Sequence, residues 1–133
     1  MLISTRGRYA LRVMIDLAQH RDEGYVPMKD VAERQGISLK YIGGIMPVLT
    51  KNKLVEGIHG KGGGYRLTKA PNEYKIGDIL SLTEGDLSPV SCLKADAKPC
   101  PRKAQCATVG LWEELKEVIG DFLDKKTLSD LMN

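Results

Sequence analysis

Apolar residues recur at helical spacing through most of this chain, and the places where they stop recurring are as informative. Ala10, Val13, Met14, Leu17 and Ala18 fall at i, i+3, i+4, i+7 and i+8, which predicts an amphipathic helix over Arg8 to His20. Its polar side carries Arg6, Arg8 and Arg12, within reach of phosphates or simply solvated. Asp22-Glu23-Gly24 ends it, and Tyr25-Val26 is expected to form a short strand that completes a wing sheet. Pro27 then suits the opening of a second helix, Met28 to Gln35, because the first turn leaves its N–H unpaired in any case.

Next comes Gln35-Gly36-Ile37-Ser38, in which a left-handed glycine can stop one helix and a serine can cap the next. That order is the grammar of a helix-turn-helix. Leu39, Ile42, Met46 and Leu49 predict the core side of the following helix and leave Lys40, Gly44, Pro47 and Lys51 on the other. Gly43-Gly44 and Pro47 cost about 1 and 3 kcal/mol against alanine, so a bend is expected near Met46, with Ser38 to Gly44 forming the groove-facing turn. Leu54 to Ile58 and Tyr65 to Leu67 read as two short strands joined by the glycine-rich, basic loop His59 to Gly64. Together these elements predict a winged helix-turn-helix in residues 1–70.

Pro71-Asn72-Glu73 marks a boundary, and residues 71–133 read as a second unit packed on the first. Tyr74 to Glu84 has the period of a short helix, whereas Val90 to Gln105 has almost none and reads as a loop. Downstream, Val109, Trp112, Leu115, Ile119 and Phe122 form one apolar line, and Leu111, Val118 and Leu123 widen it. A stripe that broad exceeds what a small monomer needs and points to a dimerisation helix, with packing inside the monomer as the competing reading. Thr127-Leu128-Ser129-Asp130 has capping-box spacing and opens a terminal helical turn. The expected fold class is therefore mainly α with a small β wing, ending in a long dimerisation helix.

Charge adds a partner to this picture. Residues 1–69 hold 12 Lys and Arg against 6 Asp and Glu, or +6, while residues 70–133 hold 8 against 11, or −3, which returns the overall +3. A basic front half is what a phosphate-binding surface requires. Within it, Lys40 and Tyr41 are the expected major-groove contacts, Gly44 allows close approach, Ser38 and Lys51 are placed for phosphates, and His59 and Lys61 for the minor groove. No apolar run approaches the roughly 20 residues of a bilayer span, and Met1 to Thr5 lacks a signal-peptide core, so a cytoplasmic location is expected. With two histidines, His20 and His59, no P-loop and no nucleophile elbow, nothing points to an enzyme.

Cys92, Cys100 and Cys106, separated by seven and five residues, are the chain's only cysteines. The odd count argues against a disulfide framework. Three thiolates on a polar loop ahead of a helix can hold an iron-sulfur cluster or a zinc ion, or act as redox thiols.

Several stretches together carry a resemblance: Ser4-Thr5-Arg6-Gly7-Arg8-Tyr9-Ala10, Val31 to Ser38, Tyr41, Lys51-Asn52-Lys53-Leu54-Val55, Gly60-Lys61-Gly62-Gly63-Gly64-Tyr65, and the three cysteines ahead of Leu111-Trp112. The chain resembles the IscR/NsrR/RirA family of bacterial winged-helix regulators over nearly its whole length. The resemblance implies a homodimer on a pseudo-palindromic duplex operator, with a [2Fe-2S] or [4Fe-4S] cluster on Cys92, Cys100 and Cys106 that tunes DNA binding to iron-sulfur, iron or nitrosative status. A thiol- or zinc-based regulator without iron, or an iron-sulfur carrier, is the alternative.

The pattern is broken in three places. IscR-like members place a histidine where this chain has Val109, NsrR-like members an acidic residue where it has Arg8, and the family usually carries Glu-Gln in place of Gly43-Gly44. A fourth ligand is thus left open among Asp86, Asp96, solvent and a small thiol, and the cysteine spacing is closest to the RirA-like pattern.

Overall fold

A computed structural model describes residues 3–132. Among these residues the elements run α1 (Thr5–Gln19), α2 (Met28–Gln35), α3 (Leu39–Lys51), β1 (Val55–Ile58), β2 (Gly64–Leu67), α4 (Ile76–Glu84), α5 (Val109–Lys125) and α6 (Leu128–Leu131), with short 3-10 turns between some of them. The first helix starts three residues earlier than its apolar period implied, because Ser4 caps it by accepting from the Gly7 N–H at 3.1 Å.

Helices α2 and α3 form the expected helix-turn-helix. Gly36 closes α2 at φ 65°, ψ 33°, a left-handed conformation that a side chain would strain, and Ser38 Oγ accepts from the Tyr41 N–H at 3.1 Å to open α3. Helix α3 runs unbroken through Pro47. Ile42, Ile45, Met46 and Leu49 lie on both sides of the proline and are at most 2% exposed. At about 1.5–3 kcal/mol each, their burial outweighs the roughly 3 kcal/mol that proline costs. Leu39 does not join them. It is 53% exposed at the start of α3.

Strands β1 and β2 pair antiparallel, Val55 opposite Leu67 and Ile58 opposite Gly64. Val26 extends the ladder by one rung, exchanging hydrogen bonds with Tyr65 at 2.8 and 2.9 Å, so the short Tyr25-Val26 segment does complete the wing sheet. The crossing is close enough that a Cβ on Gly64 would strike the Val26 backbone.

One buried cluster draws on both halves of the chain, from Ala10, Val13, Met14 and Leu17 of α1 to Ile79 and Leu80 of α4 and Leu128 of α6. Tyr74, expected in α4, instead precedes it. Its ring is buried, its hydroxyl donates to the Leu54 carbonyl at 2.7 Å, and it accepts from the Thr68 and Lys69 N–H groups at 2.9 and 3.2 Å. The chain end is sewn to the same place: Ile76 N–H donates to Lys126 O at 2.8 Å and Leu128 N–H to Tyr74 O at 3.1 Å. Asp130 accepts from the Thr127 N–H at 2.9 Å, as the capping-box spacing implied.

Helix α5 packs on α4 with one side only. Trp112, Ile119 and Leu123 are half-buried, whereas Leu111, Leu115, Val118 and Phe122, at i, i+4, i+7 and i+11, are 57, 38, 62 and 58% exposed. The two apolar lines therefore sort differently from the sequence reading, with Leu115 and Phe122 on the outer side and Leu123 on the inner. Among the described residues no helix is long and apolar enough to cross a membrane.

Candidate nucleic-acid interface and cysteine cleft

The N-termini of α1 and α3 meet on the basic side of the molecule. Arg6, Ser38, Lys40, Tyr41, Gly44 and Ile45 line an open cleft of about 370 Å³ there. Arg6 reaches across from α1 and donates to the Gly44 carbonyl at 3.3 Å, and Tyr9 meets Tyr41 edge-on with ring centres 5.2 Å apart. Arg12 lies 5.3 Å from the Tyr9 ring centre and binds the Gln35 backbone and side chain. The structure thus gathers four of the predicted residues, Ser38, Lys40, Tyr41 and Gly44, and adds Arg6 to them. Lys51, at the far end of α3, and His59 and Lys61, at the wing tip, stand exposed outside this cleft. Nothing within 4 Å would meet a Cβ on Gly43 or Gly44, so no contact inside the monomer requires their bareness.

Behind this surface lies a polar clamp that the apolar periodicity did not mark. Asp16 is 1% exposed, and Arg34 forks onto both its oxygens at 2.7 and 3.0 Å. Gln35 Nε2 donates to it at 2.9 Å, and His20 Nδ1 stands 3.6 Å away. Burial by itself pushes the Asp16 carboxyl up, but the hydrogen bonds of Arg34 and Gln35 and the charges of Arg34 and His20 outweigh it and hold the group below its ordinary value. The clamp fixes the last turn of α2 against α1 and thereby sets the turn into α3.

The three cysteines are all exposed and all line one cleft of about 240 Å³, together with Leu93, Ala97, Lys98, Pro99, Lys103 and Val109. Among the described residues their sulfurs do not converge to ligating distance. The Cys106 thiol is pushed below its ordinary value by hydrogen bonds from the Thr108 hydroxyl and from the Thr108 and Val109 backbone at the start of α5, which favours the thiolate.

The first part of the loop is fastened. Asp86 Oδ1 accepts from the Ser88 N–H at 2.8 Å and from its hydroxyl, and Oδ2 from the Ala95 N–H at 2.8 Å, which lowers its carboxyl to about 2. Lys116 of α5 donates to the Leu93 carbonyl at 2.8 Å. Asp86, left open as a fourth ligand, has both oxygens engaged in the loop, and neither it nor Asp96 lines the cysteine cleft. Val109, in the position of the histidine that IscR-like members carry, does.

Residues 3–133 match the Rrf2 family, described as an iron-dependent transcriptional regulator. The chain is 40% identical over all of its 133 residues to the HTH-type transcriptional regulator IscR of Pectobacterium carotovorum subsp. carotovorum, covering 80% of that protein. It superposes on CymR (YrzC), the global cysteine regulator of B. subtilis, with a TM-score of 0.79 at 35% identity, spanning 98% of this chain and 95% of that one. With T. potens IscR the TM-score is 0.75 at 37% identity, over 98% and 85% of the two chains.

Proposed function

The chain belongs to the Rrf2 family of transcriptional regulators, and from that premise we propose that it is a homodimeric operator-binding protein whose grip on DNA is set by an iron-sulfur cluster on Cys92, Cys100 and Cys106. In this reading residues 1–70 are the reading head, and residues 71–133 are the sensor loop and the dimer arm. The observation that carries it is the single cleft lined by all three cysteines, directly before α5. Soft thiolates suit iron or zinc, and the donor set fits a cluster once the loop draws its sulfurs inward. Bound there, a cluster supplies an iron centre sensitive to redox state and to ligand exchange.

The protein's own residues supply the rest. The exposed line Leu111, Leu115, Val118 and Phe122 meets its symmetry mate, which sets two α3 helices about 34–36 Å apart for a pseudo-palindromic operator. Lys40 and Tyr41 enter the major groove, Ser38 and Lys51 hold phosphates, Gly44 lets the backbone close in, and His59 and Lys61 bracket the minor groove. Arg6 shares the cleft with Ser38 and Lys40 and joins the phosphate contacts. The loop reaches this surface through Asp86, since Glu84, two residues earlier, accepts from Ser4 N–H at 3.0 Å and Ser4 hydroxyl at 2.6 Å at the start of the helix that carries Arg6. A change in loop order is thus felt at the α1–α3 contact; a coupling of about 1–3 kcal/mol suffices for regulation.

Anaerobic purification with iron and sulfide counts, followed by binding to a promoter fragment selected in vitro, tests this directly. We expect a coloured protein, loss of the colour in Cys100→Ser, and a changed affinity in that variant. Zinc or no metal in the wild type, or equal affinity with and without iron, refutes it.

A further inference from the structure

Among the described residues Lys53 is the one non-glycine with a positive φ, at 60°, where a side chain crowds its own backbone and glycine is the ordinary occupant. It follows the Asn52 cap of α3 and lies just ahead of β1. The surrounding backbone holds it in that conformation. Lys53 N–H donates to the Thr50 carbonyl at 3.0 Å and Leu54 N–H to the Leu49 carbonyl at 2.9 Å, the paired bonds that stop a helix around one left-handed residue. Leu49 and Leu54, at the positions whose apolar side chains accompany such a stop, are both buried, and the Thr68 hydroxyl donates to the Lys53 carbonyl at 2.8 Å. A glycine would make all of these contacts with less strain, since each uses backbone atoms of residue 53 or groups on its neighbours.

No ion pair within the chain accounts for the lysine side chain. It is exposed, and among the described residues its ammonium has no acidic partner. Nor does the end of α3 need a cation to satisfy its carbonyls: those of Val48, Leu49 and Thr50 already accept backbone N–H groups, and Asn52 Nδ2 adds a second bond to Val48 at 2.8 Å. Strain retained beneath an exposed, unpaired side chain points to a function outside the chain. Its position names the partner. Lys53 stands between Lys51 and the wing tip His59 to Lys61, in the basic half of the chain. It also marks the far end of α3, where a recognition helix leaves the bases and meets the backbone of the duplex. We propose that Lys53 is a phosphate contact of the DNA interface, kept as lysine in a backbone position suited to glycine. The proposal rests on the DNA-binding reading above and is independent of the cluster.

The test binds the 133-residue chain and its variants to a fluorescein-labelled duplex of mixed sequence and reads anisotropy across a salt series. A phosphate contact shows on any sequence, so the operator need not be known. In Lys53→Gly the slope of log affinity against log salt falls by about one for each protomer on the duplex, and at roughly 0.1 M salt affinity drops about five- to tenfold per protomer. The melting temperature of that variant equals or exceeds the wild-type value, because relief of the left-handed strain outweighs the freedom that glycine adds to the unfolded chain. Lys53→Arg, which keeps both charge and strain, binds as the wild type does. Wild-type affinity and slope in Lys53→Gly overturn the proposal, as does an arginine variant as weak as the glycine one. A lower melting temperature in Lys53→Gly assigns the lysine to the fold and overturns it as well. A wild type with no salt-dependent grip on the duplex overturns the DNA-binding reading itself, so the two failures are told apart.

Discussion

Replacing Arg34 by Met removes the partner of the buried Asp16 carboxylate while keeping the apolar stem. In the native protein that carboxylate is 1% exposed and receives the Arg34 fork at 2.7 and 3.0 Å. Breaking a fully buried pair costs about 3–5 kcal/mol through the charge left behind. Here the Arg34 side chain is 35% exposed, and Gln35 still donates at 2.9 Å, so the expected loss is about 2–3 kcal/mol at pH 7. For a chain of this length that lowers the melting temperature by about 7–11 °C.

The pH dependence gives the sharper test. A carboxyl held below its ordinary value contributes fully above the unfolded pKa of about 3.9, and the contribution fades as pH falls through the depressed folded value. In Arg34→Met burial is less opposed, so the folded variant takes up its proton at higher pH. The gap between wild type and variant is therefore widest near pH 7 and narrows toward pH 4. Urea unfolding followed by circular dichroism at both pH values measures it. In Asp16→Leu/Arg34→Met, where no charge is left unpaired, most of the lost stability returns. A deficit equal at pH 7 and pH 4, or one that the double variant deepens, refutes the reasoning.

Three further outcomes follow from the same structure. Val118→Glu/Phe122→Glu places two charges per chain on the outer stripe of α5; on the proposed dimer, light scattering is expected to report a dimer for the wild type and a monomer for the variant, with operator affinity reduced accordingly, and a monomeric wild type refutes that dimer. Lys61→Ala weakens DNA binding by a similar factor on all sequences and lowers the slope of log affinity against log salt by about one; an unchanged slope removes the wing from the interface. Leu128→Ala empties a side chain that is 0% exposed and costs about 2–5 kcal/mol in denaturant unfolding.

Much of this molecule was legible from its sequence. The turn at Gly36-Ser38, the wing with its Val26 rung, the Thr127 capping box and the residues of α3 that share the cleft with Arg6 all rest on local rules: where glycine can go left-handed, which side chain caps a helix, which period matches a helix face. The cysteines advertised themselves by residue type and spacing. What misled the reading was any question answered by a neighbour distant in sequence. Leu39 fits the apolar period of α3, yet the first turn of that helix projects beyond the core and leaves it exposed. Pro47 should break the helix by local cost alone, but the buried apolar residues on both sides of it keep the helix continuous.

The ion-paired Asp16, the Tyr74 hydroxyl under the Leu54 carbonyl and the Asp86 anchor of the cysteine loop left no trace in hydrophobic periodicity, because polar residues look alike in a sequence whether buried or solvated. Local sequence settled which elements form, since capping, chirality and helical period act within a few residues. Only the tertiary structure decided which stripe of α5 faces outward, that Arg6 lines one cleft with Ser38 and Lys40, and that neither Asp86 nor Asp96 lines the cysteine cleft, because each depends on where a second, unconnected segment comes to rest.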